Sequence, residues 1–210
     1  MLYLFREQYI YMEIQNQISG LLFHPVDTFR SLYEEEWTES LKYYLVLLTI
    51  FTILDGILAG LIIFPMGLMT GITEVFPLPL LFVLILIGIF VFNIICLFLM
   101  SGFMHIFVHL LGGRRGFYET LKVMAYASTP TMVLGWIPLI GIIGWFWTFI
   151  LNVTGIQELQ QLSTPRALVA VLLPICIIFI IILIAYFALI FLVLMGTMAC
   201  GMDSMAYGID

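Results

Sequence analysis

Four imidazole and carboxylate side chains in this sequence have the types and spacing that metal chemistry requires. His105 and His109 stand four residues apart in HIFVHLLGGRRGFYET, so a helix would place both rings on one face as two ligands of one transition metal. Glu119 lies in the same stretch, and Glu158 follows two apolar segments later. Imidazole and carboxylate ligands suit Zn²⁺, Fe²⁺ or Mn²⁺, so a divalent-metal or proton-responsive cluster is one hypothesis. The alternative is that the histidines are interfacial and are satisfied by water, lipid headgroups or backbone carbonyls.

A second set of polar residues lies inside apolar segments. Asp55 occurs deep in the first such segment, in TIFTILDGILAG, where a carboxylate costs at least ~2.5 kcal/mol and should be protonated or paired. One interpretation is a proton- or ion-coupling site. The other is a structural hydrogen bond to a neighbouring helix, with Asn93 or Asn152 as the partner. Gly56 and Gly60 form a G-x-x-x-G pattern that permits close helix approach, including dimerisation.

The run GGRRG, residues 112–116, has the composition of a tight loop between two helices. Its glycine pair can end the preceding helix in left-handed conformations. Arg114 and Arg115 would anchor the loop by charge, and binding of phosphate headgroups is compatible with that role. Just beyond the loop, Glu119 and Lys122 are three residues apart, so they can form an ion pair on the first turn of the next helix.

Membrane helices must position these residues. The chain has 210 residues and is 63% hydrophobic and only 10% charged, which is outside the range of soluble domains. Each crossing needs roughly 20 apolar residues. Five segments qualify: Tyr43–Phe64, Leu80–Leu111, Leu121–Trp136, Leu139–Ile156 and Ala167–Thr197. We therefore predict an all-α polytopic membrane protein, a bundle of five transmembrane helices, with Pro130 kinking the third and Pro174 kinking or starting the fifth.

The basic residues predict an orientation. Lysine and arginine occur before the first segment, around the loop between the second and third, and between the fourth and fifth. By the positive-inside rule, the N-terminus is expected on the cytoplasmic side and the C-terminus outside. The expected organisation is a cytoplasmic, acidic segment over residues 1–41, a transmembrane domain over residues 42–197 and a short extracytoplasmic tail over residues 198–210.

The N-terminal segment contains ISGLLFHPVDTFRSLY, residues 18–33, with an interrupted apolar face. We expect an amphipathic interfacial helix here, lying on the membrane surface and broken near Pro25. The net charge of −6 argues against nucleic acid as a partner. Three widely spaced cysteines argue against a disulfide framework or a zinc knuckle.

Four motifs, taken in order, resemble the Yip-one domain family, five-pass membrane proteins first named as Ypt/Rab-interacting. They are FHPVDTFRSL, HLLGGRRGFYETLKVMAYASTP, WIPLIGIIGWFW and GIQELQQLSTPRALVAV. The resemblance covers residues 21–194 and implies a cytosolic N-terminus, a compact five-helix bundle and, in eukaryotes, work at Golgi and endoplasmic-reticulum membranes with small GTPases. Residues 1–41 offer little surface for a GTPase, so this chain is similar to short prokaryotic-like members and small-GTPase binding is not expected.

The expected function is that of a non-enzymatic membrane scaffold, or a membrane-organising, trafficking-like factor. Such a protein needs no cofactor, contacts membrane lipids and self-associates as a homodimer through its helices. The competing hypothesis is a small transporter or channel for a proton or a divalent metal ion such as zinc, with Asp55, Asn93 and Asn152 along the pathway and the histidine–glutamate cluster at its mouth. An intramembrane enzyme is the third class, but no catalytic residues are predicted.

Overall fold

The computed structural model describes residues 2–70 and 78–206, which form helices and no strand. An N-terminal helix is followed by a short helix and a 3₁₀ turn, and the remaining described residues form four long apolar helices and two shorter helices. In chain order the elements are α1 (Leu2–Phe23), α2 (Pro25–Ser31), a 3₁₀ helix (Leu32–Glu34), α3 (Trp37–Thr70), α4 (Leu78–Leu110), α5 (Phe117–Ala127), α6 (Thr129–Leu134), α7 (Ile140–Leu159) and α8 (Thr164–Ala206).

The all-α membrane fold is confirmed, but the number of long apolar helices differs from the five expected. In the described part of the chain, four helices are long and apolar enough to cross a membrane: Trp37–Met66, Pro79–Leu110, Ile140–Leu159 and Thr164–Gly196. The third predicted segment is instead divided between α5 and α6. Pro130 lies at the start of α6 and lacks an N–H group, and its ring would clash with the carbonyl of Tyr126, so the helix restarts there.

The divided pair α5–α6 runs antiparallel to α7 along most of the length of α7. The side chains of Thr120 and Gln160 are hydrogen-bonded over 3.0 Å near one end. Thr131 and Thr148 are hydrogen-bonded over 2.7 Å further along. At the other end the two elements are in backbone contact, because a Cβ atom on Gly144 would lie 2.7 Å from the carbonyl oxygen of Pro130.

The chain divides into two compact units, Met1–Val171 and Leu172–Asp210. The second unit is helical through Ala206, contains Pro174 within its helix, and exposes apolar side chains through Met195, as expected of a helix that faces lipid. The predicted loop between the first two spans falls largely on residues 71–77, and the end of the predicted tail on residues 207–210; both lie outside the described residues.

The amphipathic segment packs on the first unit as well as facing outward. It is broken at His24 and Pro25, where α1 ends and α2 begins. Leu21 and Phe29 are fully buried in the protein, whereas Phe23 is 75% exposed. Phe29 is accommodated by Gly155 of α7, where an added Cβ atom would lie 2.9 Å from its ring. Part of the apolar face expected on the membrane surface therefore belongs to the core.

Candidate functional site

Helix α5 organises the polar residues of the bundle. It follows the GGRRG loop and begins after Gly116, with Glu119 in its first turn, where a negative charge is favourable. Seven of its eleven residues are buried, among them Thr120, Lys122 and Tyr126. The elements around α5 are α3, α4 and α7. We call the end of the bundle that carries Arg30, Lys42, Arg114, Arg115, Lys122 and Arg166 the basic end.

Lys122 is the most deeply buried cation of the described residues, at 1% exposure. Its ammonium donates to the main-chain carbonyl of Leu32 over 3.2 Å and to that of Glu35 over 2.5 Å. It also lies 3.4 Å from the carboxylate of Glu119, so the predicted ion pair is present. A buried ammonium needs such oxygen partners, since an unpaired charge is costly to remove from water.

Further contacts join the same N-terminal residues to α5. The Tyr126 hydroxyl donates to the Glu35 carboxylate over 2.5 Å. The Arg115 guanidinium stacks on the ring of Tyr33, 3.4 Å from its centroid, and lies 3.6 Å from the carboxylate of Glu119. We refer to the contacts among Tyr33, Glu35, Arg115, Glu119, Lys122 and Tyr126 as the clasp. The clasp fixes residues 32–35 to the bundle.

The two histidines are neighbours at the basic end, with ring centroids 6.4 Å apart. His105 Nδ1 is hydrogen-bonded to the Thr120 hydroxyl over 2.9 Å. Thr120 also accepts a hydrogen bond from Gln160, whose side-chain oxygen accepts from the main-chain N–H of Arg115 over 3.1 Å. When Thr120 donates to Nδ1, the imidazole carries its proton on Nε2. His105 is therefore at one end of a series of hydrogen bonds that continues through Thr120 and Gln160. This series connects the GGRRG loop to the end of α7.

The predicted metal cluster of His105, His109, Glu119 and Glu158 is not assembled. No group of three or more histidine, cysteine, aspartate or glutamate side chains within the described residues is arranged to hold a metal ion. The carboxylates have nearer cationic partners: Glu119 belongs to the clasp, and Glu158 accepts from Arg30 over 2.9 Å. The hydrogen bond to Glu158, and then the charge of that carboxylate, raise the pKa of Arg30, which keeps the guanidinium charged.

The three intramembrane polar residues are not brought together as hydrogen-bond partners. Asn93 donates to the carbonyl of Ile89, and Asn152 to that of Thr148, each over 2.9 Å within its own helix. Asp55 is half-buried, and no hydrogen bond or ion pair within the described residues involves it. Asp55 is therefore not hydrogen-bonded to either asparagine in this structure, and the side-chain nitrogen of each asparagine donates to the carbonyl four residues earlier. The Asn152 side-chain oxygen is buried and has no hydrogen-bond partner in the described part of the chain.

The G-x-x-x-G pattern permits a close approach within the chain. A Cβ atom on Gly56 would lie 2.9 Å from Leu86 of α4, and one on Gly60 would lie 3.6 Å from Phe82. A cavity of about 600 Å³ beside these glycines is lined by the apolar side chains of α3 and α4. The small residues therefore pack α3 against α4 in this structure.

The two arginines of the GGRRG loop have different surroundings. Arg115 is part of the clasp, and its side chain is 27% exposed. Arg114 is exposed and lines a polar groove of about 380 Å³ together with Arg166 and Ser163 at the start of α8. The arginines that line this solvent-facing groove are Arg114 and Arg166, whereas Arg115, predicted with Arg114 to bind phosphate headgroups, does not line it.

Sequence reasoning missed several residues of this region. Nothing in the local pattern identified Glu35, Tyr126 or Gln160, because their partners are 40 or more residues away. Arg166 lies between the fourth and fifth predicted segments, where its charge indicates orientation and does not by itself predict a site. One signal was available: Gln160 and Gln161 follow an apolar helix directly, where polar side chains must find partners or water.

Comparison with known protein families gives a match over most of the chain. A model of the Yip1 domain matches residues 19–187, from within α1 to the second unit. No curated protein and no solved structure matches the chain.

Proposed function

Because the chain belongs to the Yip1 domain family and is a multi-pass integral membrane protein, we propose that it acts as a non-enzymatic membrane scaffold. In this role the basic end is a fixed platform on the cytoplasmic side of the membrane, and the apolar helices hold it in place. The N-terminus is cytoplasmic and the C-terminus extracytoplasmic, as the distribution of lysine and arginine indicates. Members of this family are generally non-enzymatic membrane proteins.

The observation that carries the proposal is the burial of Lys122. Its ammonium is held by the main-chain carbonyls of Leu32 and Glu35, so the segment before α3 is fixed on the bundle. Arg30 and Glu158 add a contact between α2 and α7. These contacts within the protein hold the basic end rigid. A rigid surface is suited to binding other molecules, as a scaffold must.

The packing between the basic end and Asp55 also supports a scaffold over a transporter. In this part of the first unit, α3 contributes Tyr43, Tyr44, Leu47 and Leu48, all 4% exposed or less. The cavity along α3 beyond them is apolar. An ion or proton path through a membrane needs polar side chains or water along its length, and this packing offers little of either.

The lateral surface supports self-association. Large apolar side chains on α3 and α4 are exposed, including Ile57, Leu61, Leu84 and Phe92. In the membrane such side chains face lipid or another helix. A homodimer through this surface would present two basic ends side by side, so we include self-association in the proposed function.

The test is a flux assay together with a mass measurement on the full chain in lipid. Vesicles loaded with a pH-sensitive or a zinc-sensitive dye are compared with and without reconstituted protein, and the particle mass is measured in lipid nanodiscs. The scaffold function predicts a dimer and a dye response equal to that of protein-free vesicles. Proton or zinc flux that is lost in Asp55→Asn would overturn the proposal in favour of a transporter. A monomer at all protein densities would overturn the self-association.

A further inference from the structure

Two arginines at the basic end differ from the other cations in having no acidic partner. Arg30, Lys42, Arg115 and Lys122 each lie within 4 Å of a glutamate carboxylate. Arg114 and Arg166 are exposed and take part in no ion pair within the described residues. Both line the groove of about 380 Å³, which Gln161 and Ser163 complete with polar side chains and which includes no acidic residue in its lining.

The backbone around this groove places both arginines in its lining. Gly112 has a φ of +98°, which turns the chain sharply after α4 and before Arg114. Arg166 reaches over this turn, since its Nη1 atom would lie 3.7 Å from a Cβ atom on Gly112. Arg166 is also in the first turn of α8, where main-chain N–H groups lack helical partners and the helix dipole favours an anion.

Exposed apolar side chains lie close in sequence to the two arginines, at the ends of two spanning helices. Leu110 ends α4 and is 74% exposed, and Leu168 and Val169 of α8 are 39% and 42% exposed. A ligand that lies against these residues and against Arg114 and Arg166 must have a negatively charged group next to an apolar part. An anionic phospholipid has this structure, with its phosphate at the depth where spanning helices end.

We infer that Arg114 and Arg166 form a binding site for a phosphate group, and that its ligand is the headgroup of an anionic phospholipid. The two guanidinium groups donate to the phosphate oxygens, a geometry that arginine suits well. The acyl chains lie along Leu110 and along Val169, which is one helical turn beyond Arg166. The chain has a net charge of −6, so the protein as a whole is not attracted electrostatically to anionic lipid. Selective binding of an anionic phospholipid would therefore depend on a local site such as this one.

The test is native mass spectrometry of the full chain in detergent micelles with added phosphatidylglycerol or with phosphatidylcholine of the same acyl chains. The wild type is expected to bind phosphatidylglycerol more tightly, by about tenfold or more. Arg114→Gln/Arg166→Gln should remove that preference, whereas Arg114→Lys/Arg166→Lys should keep part of it. Both arginines are exposed, so the variants are expected to fold, which thermal unfolding verifies.

The matched control is Arg30→Gln/Lys42→Gln, which removes two positive charges from the same end of the bundle and leaves the groove intact. Its lipid preference should equal that of the wild type. An equal loss in both double variants, or no preference in the wild type, would overturn the site. Competition with millimolar inorganic phosphate distinguishes a lipid headgroup from a soluble phosphate as the ligand. Unchanged binding of phosphatidylglycerol supports the headgroup. Displacement of phosphatidylglycerol would overturn the lipid site in favour of a site for soluble phosphate.

Discussion

The ammonium of Lys122 lies 2.5 Å from the main-chain carbonyl oxygen of Glu35, across 87 positions of sequence. This contact joins α5, in the middle of the bundle, to the segment that precedes the first spanning helix. Tyr126, one turn further along α5, reaches the side chain of the same glutamate. One residue of the N-terminal segment is therefore held through both its main chain and its side chain.

Removing the Lys122 ammonium should destabilise the fold. Lys122→Met keeps the length of the side chain but leaves the carbonyls of Leu32 and Glu35 without their donor, which we expect to cost about 3 kcal/mol of unfolding free energy. Denaturant unfolding in detergent micelles, followed by tryptophan fluorescence, measures the change. The control is Lys42→Met, whose side chain is 69% exposed and pairs with Glu39 on its own helix, so its change should stay under about 0.5 kcal/mol. Equal effects in both variants would contradict the importance of the clasp.

Gly155 should not tolerate a methyl group. An added Cβ atom would lie 2.7 Å from the side chain of Val123 and 2.9 Å from the ring of Phe29, so Gly155→Ala overpacks the contact between α2, α5 and α7. Overpacking of this kind costs about 1–3 kcal/mol. Gly88→Ala is the matched control, because nothing lies within 4 Å of its Cβ position and alanine is the better helix former. The same unfolding assay should show a loss for the first variant and no loss for the second.

The purified protein should contain metal well below one equivalent per chain. His105 is engaged with Thr120, and the glutamates expected as ligands are paired with cations. Elemental mass spectrometry on untagged protein, grown with zinc, iron and manganese supplied, measures this directly. His105→Ala/His109→Ala should give the same result. A stoichiometric metal that disappears in the double variant would restore the metal hypothesis.

The divided pair α5–α6 should cross the membrane even though it is not one long helix. It covers residues 117–134, roughly 27 Å if helical throughout, and it runs beside α7, which is long enough to span. With this crossing, the chain is expected to span the membrane five times and to have its termini on opposite sides. Reporter fusions to the two ends, each active in only one compartment, locate them. Termini on the same side would show that α5–α6 does not cross.

Features of this structure that depend on residues close together in the sequence could be predicted, whereas contacts between distant residues could not. The four long spanning helices and the Glu119–Lys122 pair follow from composition and from a spacing of three residues. The kink expected at Pro130 is a break, which divides the third predicted segment into α5 and α6 and leaves four long spanning helices in the described residues. The four side chains of the hypothetical metal cluster are not brought together, because topology places residues at one end of a bundle but helix rotation decides which side chains meet there.

By itself, then, the sequence determined the all-α membrane class, the family resemblance, the break near Pro25 and the basic end. These are set by local composition, because the bilayer selects apolar segments of sufficient length. Only the tertiary structure decided that Lys122 is held by Leu32 and Glu35, and that Arg166 shares a groove with Arg114. Those contacts join residues that are 50 or more positions apart, and they exist because packing of the core fixes the rotation and depth of each helix.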